Sequence, residues 1–421
     1  MASGETLHSD SLLLLQPAAF HVTAASVKSA YQDAIAAALN HVWLSRSQAS
    51  GPLILDIIVP YPILQHQKTT PRSSFFPIGQ TLVAGLYKLV ALIATRDAIE
   101  LDNSVGVDAR VLILSYDEDA NAAQNCAARG LAAWALGPVI HAHTLIYSGR
   151  TWNTIFMVKG DLNAEICAQL KTVNGTPPTV HVLPTASLGV QKCEHPPRLV
   201  TLSEGAQKHH HIAVGGTFDH LHIGHKLLLT MVAFALDPRE PQPRVANQQP
   251  SQPSWCSITV GITGDALLKK KKYIEVLENW PEREKSVQKF LRAIMDFRPA
   301  NSRTIKREEQ NGEGPNEHSV KTWLDNVVID CVEIWDPFGP TITDENLSVL
   351  VLSGETRSGG KAVNEKRNER SWPDLAIFEV DVLDAQDDAR SEPTENDWKN
   401  KISSTEIRKA QLEKLRKVGK I

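Results

Sequence analysis

Apolar positions recur along this chain in two alternating rhythms. Over Ala24–Leu44 they fall at three- and four-residue spacing, the period of a helix with one buried face; over residues 53–59 they run unbroken, as in a strand covered on both sides. The helical rhythm returns over 83–94, 120–135 and 162–170, and short apolar runs at 111–115 and Thr154–Val158 read as strands. Residues 184–210 break the pattern with Pro184, Pro196, Pro197 and polar neighbours, as a linker does. Beyond it, strands are predicted at 211–214, 257–262, Val327–Ile334, 347–352 and 375–380, and helices at 223–236, 281–295 and Ser404–Lys417. Strands separated by helices imply parallel pairing with right-handed crossovers. The chain therefore divides into an α/β region over 1–183, a linker over 184–210 and a second α/β region over 211–421. Polar runs at 237–253 and 303–318 read as surface loops, and His209–His211 as solvated linker rather than a metal site.

Composition narrows the class. With 421 residues, 42% of them hydrophobic and 22% charged, the chain can bury ordinary cores, and a net charge of -4 supplies no basic field for nucleic acid or an anionic membrane. Its five cysteines are widely spaced, so they form neither a disulfide framework nor a zinc site, which fits a reducing compartment. The apolar stretch 81–95 is interrupted by Lys88 and falls short of the roughly 20 residues a bilayer span needs. The leucines at 12–15 are too few for a signal-peptide core. A cytoplasmic protein without a membrane span is expected, with the nucleus as a second compartment. The first region carries no phosphate loop, acid/base pair or ligand cluster.

The second region carries chemistry. Gly215-Gly216-Thr217-Phe218-Asp219-His220-Leu221-His222-Ile223-Gly224-His225 joins a predicted strand to a predicted helix. Glycines at a strand end let backbone approach a phosphate, and the helix start directs unsatisfied N–H groups and a positive dipole end at the same place. His222 and His225, three apart, both face that place. Such a site suits attack of a phosphate oxygen on the α-phosphorus of ATP, where positioned donors supply most of the catalysis and no protein nucleophile is required. Magnesium would accompany ATP, held mainly by phosphate oxygens and water; no protein metal site is expected.

This element resembles the signature of phosphopantetheine adenylyltransferases, especially the eukaryotic, fungal-like type with a single activity, within the nucleotidyltransferase superfamily that shares H-x-G-H. The resemblance implies a Rossmann-like parallel-sheet nucleotidyltransferase domain at the C-terminal end, preceded by the other α/β domain. It extends through further elements. Gly261–Leu268 leads into Lys269–Lys272, where the resemblance places a phosphate-binding lysine, Lys270 or Lys272. Glu278–Arg283 is similar to the family's helix entry, and Asp336-Pro337-Phe338-Gly339-Pro340 to its turn after the third strand. Ser353-Gly354-Glu355-Thr356-Arg357-Ser358-Gly359-Gly360-Lys361 resembles S-E-E-T-x-x-G-G, with Gly354 where the family has Glu; Arg357 and Lys361 become ATP contacts and Arg367 and Arg370 surface residues. Ile402-Ser403-Ser404-Thr405 resembles the second signature, whose helix start grips the β- and γ-phosphates.

The implied catalytic set is Thr217, His222, His225 and Lys270 or Lys272. The implied ATP- and phosphate-binding set is Gly215, Gly216, Phe218, Asp219, Gly224, Glu355, Thr356, Arg357, Gly359, Gly360, Ile402, Ser403, Ser404 and Thr405. The implied reaction joins ATP and 4'-phosphopantetheine into dephospho-coenzyme A and pyrophosphate. The alternatives are another nucleotidyltransferase, such as one acting on nicotinamide mononucleotide, and an inactive scaffold within a coenzyme A-synthesising complex. No G-x-x-x-x-G-K-[ST] loop occurs in the chain. The dephospho-coenzyme A kinase step is accordingly expected on another protein, a candidate partner in a complex.

Overall fold

The long apolar runs become the central strands of two sheets. The computed structural model describes residues 11–19, 22–48, 53–62, 70–101, 106–117, 120–126, 136–173, 177–185, 207–239, 255–299, 302–303, 305–312, 314, 316–381 and 403–417. Two units are formed, Met1–Lys208 with Ala293–Arg303, and His209–Arg292 with Thr304–Ile421. Most of the linker predicted over 184–210, namely 186–206, lies outside the described residues.

The first unit runs β1 (Ser11–Leu14), α1 (Ala24–Leu44), β2 (Leu53–Tyr61), α2 (Phe76–Arg96), β3 (Val107–Ser115), α3 (Ala122–Cys126), β4 (Val139–His141), α4 (Ala142–Tyr147), β5 (Thr154–Val158), α5 (Asp161–Val173) and β6 (Thr179–Leu183). The strands form a parallel sheet in the order β4-β3-β2-β1-β5-β6. Leucines 12–15, at most 1% exposed, supply a central strand that is too short to stand out from its flanks. The helix expected over 120–135 is described only as α3, and 127–135 lie outside the described residues. Residues 72–96, which include α2, are long and apolar enough to cross a membrane by length and composition, unlike the shorter window 81–95. In the fold, Leu82, Leu86, Tyr87 and Val90 of this helix are fully buried, as in a core helix.

Strand order reverses beside β1, and one side chain fills the reversal. Asn163 of α5 donates through Nδ2 to the carbonyls of Leu15 (3.1 Å) and Val158 (2.9 Å), with Leu14 O at 3.4 Å. A buried ion cluster fixes the middle of the sheet. Asp56 of β2 is 3.9 Å from Arg110 and 3.6 Å from Arg150, and accepts from Trp152 Nε1 at 3.1 Å. Arg150 also donates to Ala293 O and Asp296 O and lies over the Phe297 ring. These bonds explain why residues 293–303 belong to this unit, although their position in the sequence suggests the second region.

The second unit runs β7 (His211–Gly216), α6 (Ile223–Ala235), β8 (Cys256–Thr263), α7 (Trp280–Met295), β9 (Ile305–Gln310), β10 (Ser319–Leu324), β11 (Val327–Ile334), β12 (Val349–Ser353), α8 (Arg357–Glu369), β13 (Ala376–Val380) and α9 (Ser404–Lys417). Its sheet has the order β13-β12-β7-β8-β11-β10-β9. The first five strands are parallel, as expected; β10 and β9 add an antiparallel margin. Part of the supposed loop 303–318 is therefore a strand. Its sequence, Ile-Lys-Arg-Glu-Glu-Gln, reads as loop because an edge strand can carry charge on its open side, which discourages pairing with other chains. Of the other polar run, 240–253 lie outside the described residues. His209–His211 are not solvated: His209 and His211 are 8% exposed, and Asp237 accepts from His209 N while Ser257 Oγ sits 2.9 Å from His211 Nδ1.

Candidate active site

The carboxyl ends of β7, β8, β11 and β12 open into a crevice of about 1130 Å³, also lined by the starts of α6, α8 and α9. Such crevices, where strand order reverses, are the ligand sites of open parallel sheets; here the reversal falls between β7 and its neighbours β12 and β8. The floor is apolar, built on Ala213, Leu350, Leu352 and Val363. Gly215 leaves the crevice open, with nothing within 4 Å of where a Cβ would stand. Gly216 is needed for a different reason: a Cβ there would lie 3.0 Å from the buried Phe218 ring. Phe218 and His220 adopt positive φ values of 54° and 45°, a conformation that non-glycine residues hold only when their surroundings enforce it.

His222 caps α6. Its Nδ1 accepts from Gly224 N at 3.2 Å, which assigns the imidazole proton to Nε2, 3.1 Å from Ser404 Oγ. His225 stacks on it with ring centroids 3.9 Å apart. Burial, then the neighbouring His225, His220 and Lys226, holds His222 well below the ordinary histidine pKa, and burial pushes His225 down to about 3. Both are neutral at pH 7, so they present N–H donors without repelling one another. His225 Nδ1 is buried and has no hydrogen-bond partner among the described residues.

Arg283, fully buried on α7, holds the loop from behind. It donates to Thr217 O (2.7 Å), Glu278 O (3.0 Å) and Asp265 Oδ1 (2.5 Å). Its side chain is invisible as a site feature in the sequence, where the segment reads adequately as a helix start.

Of the residues singled out from sequence, Gly215, Gly216, Thr217, Phe218, His222, Gly224, His225, Thr356, Gly359, Ser403, Ser404 and Thr405 line the crevice together. Six placements differ. All of Lys270, Lys271 and Lys272 are exposed, but only Lys271 of the three lines the crevice, because consecutive residues in a turn point in different directions. Asp219 is fully buried: its carboxylate accepts from Glu278 N (2.9 Å) and Arg408 (2.5 Å), which leaves it no place among phosphates. Arg357 is exposed and forked onto Glu379, and Lys361 pairs with Glu365 on the surface. Gly360 lies on the buried face of α8, where a Cβ would meet Leu352 at 2.8 Å, so it serves packing. Ile402 and the Glu355 side chain lie outside the described residues. Arg367, expected at the surface, is fully buried and donates to five carbonyls between Thr341 and Pro373. Arg408 and the turn Trp335–Pro340 also line the crevice.

Strand-end glycines, neutral histidine donors and a lysine meet at one crevice, and relatives support a nucleotidyltransferase-like class. An uncharacterized protein of Schizosaccharomyces pombe is 36% identical over 203 residues, 48% of each chain. A protein of Saccharomyces cerevisiae named phosphopantetheine adenylyltransferase is 31% identical over 204 residues, 48% of this chain and 49% of that one. One of the same name from Methanopyrus kandleri is 28% identical, across 41% of this chain and 80% of its own. The chain thus spans about half the length of the two yeast relatives. Residues 1–187 match a family described as a domain of unknown function (DUF8446). A solved protein of unknown function from Archaeoglobus fulgidus is 22% identical, across 41% of this chain and 99% of its own, with a TM-score of 0.26, too low to carry an argument.

Proposed function

We propose that the second unit transfers the adenylyl group of ATP to 4'-phosphopantetheine, giving dephospho-coenzyme A and pyrophosphate. The observation that carries this reading is the pair of stacked, neutral imidazoles at the start of α6, opening onto a crevice that also presents Lys271 and the Ser403–Thr405 helix start. Relatives named phosphopantetheine adenylyltransferase support the choice of acceptor.

A phosphate oxygen of the acceptor attacks the α-phosphorus, a new P–O bond forms, and the bond to the β-phosphate oxygen breaks. Charge grows on the α-phosphate oxygens and on the departing pyrophosphate. Ser404 holds the His222 Nε2–H until ATP enters; His222 then offers that N–H, and Lys271 an ammonium, to the growing charge, while the N–H groups at the start of α9 receive the β- and γ-phosphates. Asp336, which lines the crevice, is engaged by Phe338 N, Gly339 N and Asn316 Nδ2. Magnesium would enter as part of the ATP substrate, on phosphate oxygens and water.

The test is pyrophosphate release from ATP and magnesium with 4'-phosphopantetheine, with nicotinamide mononucleotide, and without acceptor. Release only with phosphopantetheine is expected. Release only with nicotinamide mononucleotide overturns the acceptor, and none with either overturns the reaction.

A further inference from the structure

Arg408 sits on the second turn of α9, one turn beyond Ser404, and its side chain is 3% exposed. Three separate stretches of chain meet at its guanidinium. NH1 donates to Asp219 Oδ2 at 2.5 Å, Nε donates to Lys272 O at 3.0 Å, and NH2 lies 3.3 Å from Thr405 Oγ1. Asp219 is itself fixed by Glu278 N through its other oxygen, so the pair cannot drift as a unit. The same residue grips α9 a second time through its backbone, since Ser404 Oγ donates to Asp219 O at 3.2 Å. With that hydroxyl hydrogen engaged, the Ser404 oxygen is left to accept the Nε2–H of His222.

From this geometry we propose that Arg408 is a positioning residue. Its bond to Asp219 locks the first two turns of α9 so that Ser404 holds the His222 ring. The proposal rests on the adenylyl-transfer reading for its role in turnover. A guanidinium placed in a phosphate crevice invites the simpler role of phosphate ligand. Here its contacts run to a buried carboxylate, a backbone carbonyl and a hydroxyl of its own helix. Removing a partner from such a pair leaves the other charge buried, so the orientation is strongly held.

The test uses the full chain with Arg408→Gln, Arg408→Lys, Ser404→Ala and the double variant Ser404→Ala/Arg408→Gln. Arg408→Gln is expected to lower kcat about tenfold with ATP KM changed less than about threefold, as loss of an orienting contact does. In the Ser404→Ala background the same change should cost less than about twofold, because the residue acts through Ser404. Arg408→Lys, which keeps the charge for Asp219, should recover most of the rate. An effect confined to ATP KM, or an equal tenfold loss in both backgrounds, overturns the proposal.

A second readout needs no turnover. Nitrogen-15 and proton spectra of labelled histidines should show the His222 Nε2–H hydrogen-bonded in the parent chain, and that bond weakened in Arg408→Gln and, to a lesser extent, in Arg408→Lys, while Gly224 N keeps the tautomer unchanged in all three. An unchanged His222 ring in a folded Arg408→Gln variant contradicts the proposal. A parent chain that releases no pyrophosphate strikes the adenylyl-transfer reading alone, and the ring spectra still decide the positioning claim.

Discussion

Both sheets reverse their strand order beside their first strand, and the two reversals have opposite fates. In the first unit the gap above β1 and β5 is filled by Asn163, whose amide ties together the carbonyls at the strand ends. In the second unit the gap beside β7 is left open by Gly215, and the chain brings imidazoles, hydroxyls and a lysine to its rim. The same layer architecture therefore carries an amide across the strand ends in one case and a crevice in the other. The difference lies in a few side chains at the strand ends, because sheet geometry offers a site without furnishing it.

The largest expected effect bears on what holds the first sheet. Asp56→Ala leaves Arg110 and Arg150 without their shared carboxylate and should destabilise the first unit by about 3–5 kcal/mol. Hydrogen exchange of β2 and β3 reads it; unchanged protection would show that the apolar core alone suffices. On the open side, His222→Ala should lower kcat by about 10²–10³ with little change in ATP KM, the loss of a donor that acts in the transition state. Steady-state kinetics with a kcat near that of the parent chain would remove His222 from the reaction.

A smaller effect tests the amide itself. Asn163→Ala strips the strand-end carbonyls of a donor and should destabilise the first unit by about 1–3 kcal/mol. Protection of β1 and β5 against exchange is the measurement, and a neutral result would mean that water replaces the amide. A further effect is in pH. His225 has its pKa pushed down to about 3, against 6.5 for the ordinary imidazole, so on acidification the unfolded chain takes up the proton first. Its contribution to stability is complete above about pH 6.5 and is lost progressively as pH falls toward 3. Urea midpoints of the second unit should fall between about pH 7.5 and 4.5, and less steeply in His225→Asn. A slope unaltered by that substitution would show that His225 is not the group responsible.

Much of this fold is legible in the sequence because strands buried on both faces must be continuously apolar. Thr154–Val158 and Val327–Ile334 are found at the predicted residues. The failures have local causes. β1 is four residues long, and β9 carries charge because it is an edge. At the site, the glycines and histidines of the strand-to-helix turn are legible because phosphate chemistry restricts what can stand there. Pairings are not. Asp219 and Arg408 are 189 residues apart, and nothing local to either distinguishes a buried partner from a phosphate contact. Arg367 misleads in the same way, since only the fold brings the carbonyls of residues 341–347 around it. The run Lys269–Lys272 supplies the right residue type but leaves the choice to the turn, which sets the exposed Lys271 at the crevice.

The most direct test of the central claim follows the phosphorus atoms. The chain is incubated with 4'-phosphopantetheine and ATP labelled at either the α- or the γ-phosphorus, and the products are separated. Transfer of α-label into dephospho-coenzyme A, with all γ-label in pyrophosphate, is the predicted result. Label from the γ-phosphorus in the acceptor, or no α-label in it, would contradict adenylyl transfer by this crevice.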